Sequence, residues 1–93
     1  MAVSEVKSAP TRRFWELFQA LLSEVQNLTV KNDHLWRQNP DHPSLPFRRL
    51  QGSEDRFSLR VGDHYRAIGR LAGEKITWAW IGTHSDYDRL VGS

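Results

Sequence analysis

Residues 75–88 read KITWAWIGTHSDYD, and this stretch decides how the rest of the chain is interpreted. Its first half, Ile76 to Ile81, is rich in β-branched and aromatic residues, which favour a β-strand. Its second half follows where such a strand should stop, and it contains His84, Asp86 and Tyr87. A hydrophobic strand that ends in polar side chains is a rigid support for a chemical site.

An amphipathic helical pattern lies upstream of this strand. Apolar residues recur there at steps of three and four, the period of one helix face, namely Phe14, Leu17, Phe18, Leu21, Val25 and Leu28. Thr11 fits an N-cap position, and Ser23 with Gln26 fits a capping box. We therefore expect two helices that join near Leu22, with the second ending before Pro40.

The carboxyl half of the chain has the pattern of a β-meander. The proline-rich segment 39–46 cannot form regular structure. After a short strand at 47–50, the alternation of residues 57–61 has the period of a half-buried strand, and glycine-containing turns separate it from its neighbours. Two helices followed by three or four antiparallel strands predict one α+β domain over residues 1–93, with the helices on one sheet face. Residues 1–10 form a loose end or a short edge strand through Val3 and Val6.

Composition excludes several classes of protein. The chain contains no cysteine, so neither a disulfide framework nor a thiolate metal site is possible. It has no run of about 18 apolar residues and no apolar run of signal-peptide length near Met1. We expect a soluble, cytoplasmic protein without a membrane segment.

Arginine is concentrated in one part of a chain whose net charge is only +2. The cluster consists of Arg48, Arg49, Arg56, Arg60, Arg66 and Arg70. The planar guanidinium group suits phosphate or carboxylate and stacks on bases. The cluster favours a polyanion-binding site, and the alternative is a set of solvated charges at the sheet edge.

The period of two predicts which side chains share a face. If Trp80 and His84 lie on the sheet face away from the helices, they share it with Arg60 and Arg66, unless a bulge at Gly82 changes the alternation. An imidazole exchanges protons near neutral pH, and guanidinium groups neutralise charge that develops on phosphorus. Such a set would let an RNA 2′-hydroxyl attack the neighbouring phosphate without a metal or cofactor. The alternative is that His84 only caps the strand.

Other chemistries find less support in the sequence. The four histidines, His34, His42, His64 and His84, have no metal-ligand spacing between them. No Gly-x-Ser-x-Gly motif is present, which argues against a serine hydrolase. We therefore expect neither a metal ion nor a cofactor.

Three blocks of the chain resemble the RelE/ParE superfamily, the toxins of type II toxin–antitoxin modules. The blocks are HPSLPFRRL (42–50), FSLRVGDHYRA (57–67) and WAWIGTHSDYD (78–88). The resemblance covers residues 11–90 and is strongest to HigB-type and YafQ-type members at the Gly-Thr-His element. It implies a pair of helices on a curved antiparallel sheet, a cognate antitoxin as partner, and cleavage of mRNA at the ribosome.

The resemblance also implies roles for individual residues. His84 would be the general acid or base, Arg60 and Arg66 would stabilise the transition state, and Tyr87 would assist catalysis. Three further residues would contact the substrate or orient the histidine, namely Arg49, Trp80 and Asp86. The sequence departs from the family where Ser58 replaces a lysine of RelE and Trp80 replaces an arginine of YafQ-like toxins.

Two other functions stay open at this point. ParE-like members of the superfamily inhibit DNA gyrase without nuclease chemistry. A degenerate toxin that serves only as an antitoxin-binding partner is the third possibility.

Overall fold

A computed structural model describes residues 7–39 and 47–92 of the protein. In chain order the elements are β1 (Lys7–Pro10), α1 (Arg12–Gln19), α2 (Ser23–Gln38), β2 (Phe47–Arg49), β3 (Arg56–Val61), β4 (Tyr65–Ala72), β5 (Lys75–Thr83) and α3 (His84–Leu90). Two helices followed by a sheet confirm the predicted α+β class. None of the described helices is both long and apolar enough to cross a bilayer.

The two amino-terminal helices begin and end where local sequence directs them. Thr11 caps α1, since its Oγ1 accepts a hydrogen bond from the Phe14 amide at 3.2 Å. The joint falls at Leu22 as predicted, but the capping box is wrong because α2 has no side-chain cap. The Gln26 side chain instead donates to the carbonyls of Phe18, Gln19 and Leu21, at and just after the end of α1.

The sheet has five strands in the order β1-β5-β4-β3-β2. Strands β2 to β5 form the predicted antiparallel meander, and β1 adds a parallel strand at the β5 edge, pairing Lys7 with Lys75 and Pro10 with Trp78. The strand count of three or four is therefore wrong by this edge strand. The suggested strand through Val3 and Val6 lies outside the described residues, as does most of the proline-rich segment.

The core lies between α1, α2 and one sheet face. Its buried apolar members are Phe14, Trp36, Leu59, Val61, Ala67, Ile76, Trp78 and Ile81. The indole rings of Trp36 and Trp78 meet edge to face with centroids 5.9 Å apart, an arrangement that adds to their burial energy. Leu59 and Val61 face the helices as the alternation predicted.

A bulge in β5 separates the two tryptophans that the alternation places on one face. Ile68 of β4 pairs with Trp80, whereas the next residue, Gly69, pairs with Trp78, so Ala79 is the extra residue. Trp78 therefore joins the core, and only Trp80 points to the other face. Strict alternation along 76–84 would place both rings on one face, and the bulge that separates them lies at Ala79 rather than at Gly82.

A third helix, α3, begins directly after β5. The sequence pattern did not predict this helix. Thr83 caps it by accepting a hydrogen bond from the Asp86 amide at 3.1 Å, and the His84 amide donates to the His64 carbonyl at 2.8 Å. Helix α3 packs on β4 and β5. It covers part of the sheet face opposite α1 and α2, which we call the open face.

Candidate functional site

Arg66 is the centre of a group of polar side chains on the open face. It lies on β4, and its register partners Arg60 and Gly82 place it between β3 and the end of β5. Its Nε donates to His84 Nδ1 at 3.0 Å, and its Nη1 donates to Ser58 Oγ at 3.3 Å. The guanidinium is thus held from two sides, so its position is fixed before any ligand arrives.

The same contact fixes the orientation of the His84 ring. Because Nδ1 accepts from Arg66, the proton of the neutral imidazole is on Nε2. Nε2 lies 3.6 Å from Asp88 Oδ2, four residues further along α3. Both side chains are about half exposed, so the imidazole remains accessible to a ligand.

Two aromatic side chains extend the group. The Tyr87 ring lies 5.0 Å from the Arg66 Cζ and is nearly parallel to the His84 ring at a centroid distance of 6.1 Å. The Trp80 ring centroid lies 6.5 Å from that of Tyr87, with the two planes tilted by 43°. His84, Tyr87 and Trp80 therefore form an aromatic group beside a fixed cation, and such a group can stack on a nucleobase.

The open face carries five arginines in all, because residues paired across strands point to the same side. They are Arg48, Arg56, Arg60, Arg66 and Arg70. Arg60 stands directly opposite Arg66, and its side chain is exposed. Arg70 is paired with Asp55, and the other four arginines give the strands of this face a local excess of positive charge.

Two residues assigned to the site by sequence are placed elsewhere. Arg49 pairs with Phe57 on the helix side of the sheet, with its Cζ 5.9 Å from the Phe57 ring centroid. Asp86 is bound by Arg89 through a short hydrogen bond and does not contact the imidazole. The structure thus brings together His84, Arg66, Tyr87 and Trp80, with Arg60 adjacent, but neither Arg49 nor Asp86.

Two residues of the group escaped sequence analysis. Asp88 lies where Asp86 was expected, because α3 is a helix and brings residues four apart onto one face. The sequence does contain a signal for Asp88: it follows His84 by four residues, the spacing that places two side chains on one face of a helix. Ser58 is buried, and its Oγ accepts a hydrogen bond that anchors Arg66.

The arrangement supports proton transfer and anion stabilisation. The imidazole has one nitrogen free of protons, and Arg66 provides hydrogen-bond donors beside it. Within residues 7–39 and 47–92, no three histidine, aspartate or glutamate side chains are grouped so as to hold a metal ion.

Several solved structures share this fold. RelBE2 of Mycobacterium tuberculosis, a toxin–antitoxin complex, matches with a TM-score of 0.73 and 15% identity over 91% of this chain and 98% of that one. The archaeal RelE–RelB complex from Pyrococcus horikoshii OT3 matches with a TM-score of 0.70 and 15% identity over 85% of this chain and 94% of that one. YafQ from E. coli strain BL21(DE3) matches with a TM-score of 0.70 and 15% identity over 87% of this chain and 96% of that one. At such identities the matches establish the fold. No curated protein matches the sequence.

A family model matches the sequence itself. The ParE-like toxin domain aligns with residues 28–89, from the middle of α2 to the end of the third helix. This range contains β2 to β5 and every residue of the Arg66–His84 group. With the fold and the aligned sequence in agreement, the chain belongs to the ParE-like toxin domain family of the RelE/ParE superfamily.

Proposed function

We propose that the protein is the toxin of a type II toxin–antitoxin module and cleaves mRNA at the ribosome without a metal ion. The observation that carries this proposal is the hydrogen bond from Arg66 Nε to His84 Nδ1, with Tyr87 across the guanidinium. Through the Arg66 side chain, it brings together a proton-transfer group (His84), a phosphate-binding group (Arg66) and a stacking surface (Tyr87). Its place of action is the cytoplasm, where ribosomes are.

The reaction divides between these residues as follows. An RNA 2′-hydroxyl attacks the adjacent phosphorus, the new 2′-O–P bond forms, and the bond from phosphorus to the 5′-oxygen breaks. His84 either accepts the hydroxyl proton, with water protonating the leaving 5′-oxygen, or protonates that oxygen while water accepts the hydroxyl proton. The products are a 2′,3′-cyclic phosphate and a 5′-hydroxyl.

Arg66 changes partner in this scheme. In the free protein its Nε donates to the imidazole, and with RNA bound it donates to a phosphate oxygen and releases Nδ1. Arg60, opposite it, adds a second positive charge at the phosphate. Tyr87 and Trp80 hold the bases on either side of the cut.

The test is to map new mRNA 5′ ends after brief expression of the protein. We expect in-frame cuts from the wild type and their loss in His84→Gln. His34→Gln is the matched control, since His34 is an exposed histidine on α2 whose side chain contacts Gln38 rather than the site. Growth arrest by His84→Gln as strong as that by the wild type would reject the assignment of His84.

The ParE-like family match favours one alternative function, inhibition of DNA gyrase without cleavage. Under this alternative, His84→Gln still arrests growth and no new RNA ends form. Purified protein would then block supercoiling by gyrase in vitro. Arrest with neither effect would leave a protein that only binds its antitoxin.

We further propose a cognate antitoxin as partner. One of the similar solved structures, RelBE2 of Mycobacterium tuberculosis, is described as a toxin–antitoxin complex. Co-expression with the neighbouring reading frame should suppress the growth arrest, and co-purification would identify the complex.

A further inference from the structure

A cleft on the open face leads away from the Arg66–His84 group. It lies between the β2–β3 turn and the carboxyl-terminal part of α3, and Tyr87 is among its lining residues. Arg56 lines it as well, together with Gln51 and Ser53 of the turn. We call it the Tyr87–Arg56 cleft.

Its size and lining suit a nucleotide. The volume is about 490 Å³, within the range of roughly 300–1,000 Å³ that small-molecule sites occupy. Leu90 and Val91 supply exposed apolar surface for a base or ribose. Gln51 presents an amide that both donates and accepts, as recognition of a base edge requires.

The charges in the cleft favour an anion. Arg56 is exposed, and in the described part of the chain no carboxylate lies within salt-bridge distance of it. The nearby Asp55 is engaged elsewhere, with Arg70 Nε at 3.3 Å and Ser53 Oγ at 3.3 Å. An unpaired guanidinium beside Tyr87 is therefore available to a phosphate group.

We infer that the Tyr87–Arg56 cleft is a subsite for a nucleotide next to the scissile phosphate of single-stranded RNA. The inference rests on the proposed nuclease function. Tyr87 contacts Arg66 and lines the cleft, so a strand bound at His84 continues past the Tyr87 ring toward Arg56. Gln51 then contributes to base preference, and Arg56 binds the backbone.

The test uses RNA oligonucleotides of increasing length with 2′-O-methyl groups, which block cleavage and leave binding measurable by fluorescence anisotropy. Wild-type affinity should rise as nucleotides are added. The Arg56→Ala variant should bind the longer oligonucleotides about tenfold more weakly than the wild type, which is the loss expected for one charge-assisted hydrogen bond. Its affinity for the shortest oligonucleotide should be unchanged. Gln51→Ala should reduce the discrimination between bases at one position of the oligonucleotide. Its effect on affinity for the preferred sequence should be smaller than that of Arg56→Ala.

Arg13→Ala is the matched control, because Arg13 is an exposed arginine on α1, on the other side of the sheet. Equal affinities of wild type and Arg56→Ala at every length would overturn the inference. So would an effect of Arg56→Ala on binding of a poly-glutamate peptide but not of RNA, which would assign the cleft to a protein partner. In-frame mRNA cuts that persist in either case would leave the nuclease proposal standing.

Discussion

At the scale of single residues, the site depends on the shape of the Arg66 side chain. Its planar fork reaches the His84 ring with Nε and Ser58 with Nη1. A lysine has one compact ammonium and cannot reproduce both contacts. Arg66→Lys should therefore slow RNA cleavage by about 100-fold, the usual loss for one preorganised donor. Cleavage of a ribosome-bound mRNA would be measured beside Arg70→Lys, a change of the same kind on the same face. Equal rates for the two variants would contradict the role of Arg66.

The two aspartates of α3 provide a second comparison at this scale. Asp88 faces His84, whereas Asp86 is held by Arg89. Since the His84–Asp88 pair is half exposed, its contribution is that of a surface pair, and Asp88→Ala should lower the cleavage rate about two- to fivefold. Asp86→Ala should leave the rate of the chemical step nearly unchanged in single-turnover kinetics. The reverse order of effects would support the orienting role that sequence alone assigned to Asp86.

At the scale of elements, the sequence predicted those features that are determined by residues close together in the chain. The Thr11 cap, the joint at Leu22 and the alternation of β3 all depend on neighbours in the chain. The bulge at Ala79 instead places the Trp78 ring against Trp36, a contact between segments that are distant in the chain. Helix α3 was not predicted because it has only seven residues, too few for a helical period to be recognised in the sequence. The site was therefore predicted through His84 and Arg66 but not through Asp88.

The close packing of β4 against β5 gives an element-scale prediction. A Cβ at Gly69 would lie 2.8 Å from Ile76 Cδ1 and from the Trp78 ring, beside the bulge. Gly69→Ala should lower the free energy of unfolding by about 1–3 kcal/mol, because a packed core resists added volume. Urea unfolding followed by tryptophan fluorescence would measure it. An unchanged unfolding midpoint would show that the bulge relaxes without cost.

At the scale of the whole molecule, three elements meet at Ser8. Its Oγ donates to Asp33 Oδ1 of α2 at 2.6 Å and accepts from Trp78 Nε1 of β5 at 2.7 Å. Ser8→Ala removes both bonds, and although Trp78 Nε1 keeps a longer contact of 3.3 Å to Asp33, the protein should lose about 1–2 kcal/mol of stability. Thermal unfolding beside Ser85→Ala, an exposed serine of α3, would test this. Equal destabilisation by the two changes would mean that β1 is not held through Ser8.

The parallel pairing of β1 with β5 also has a consequence for biosynthesis. Strand β1 has no sheet partner until β5 has been made, and the pairing closes a loop from Lys7 to Lys75, which slows folding. His84 and Asp88 are translated later still. A nascent chain therefore cannot assemble its histidine–arginine pair until β5 and the first turn of α3 have left the ribosome.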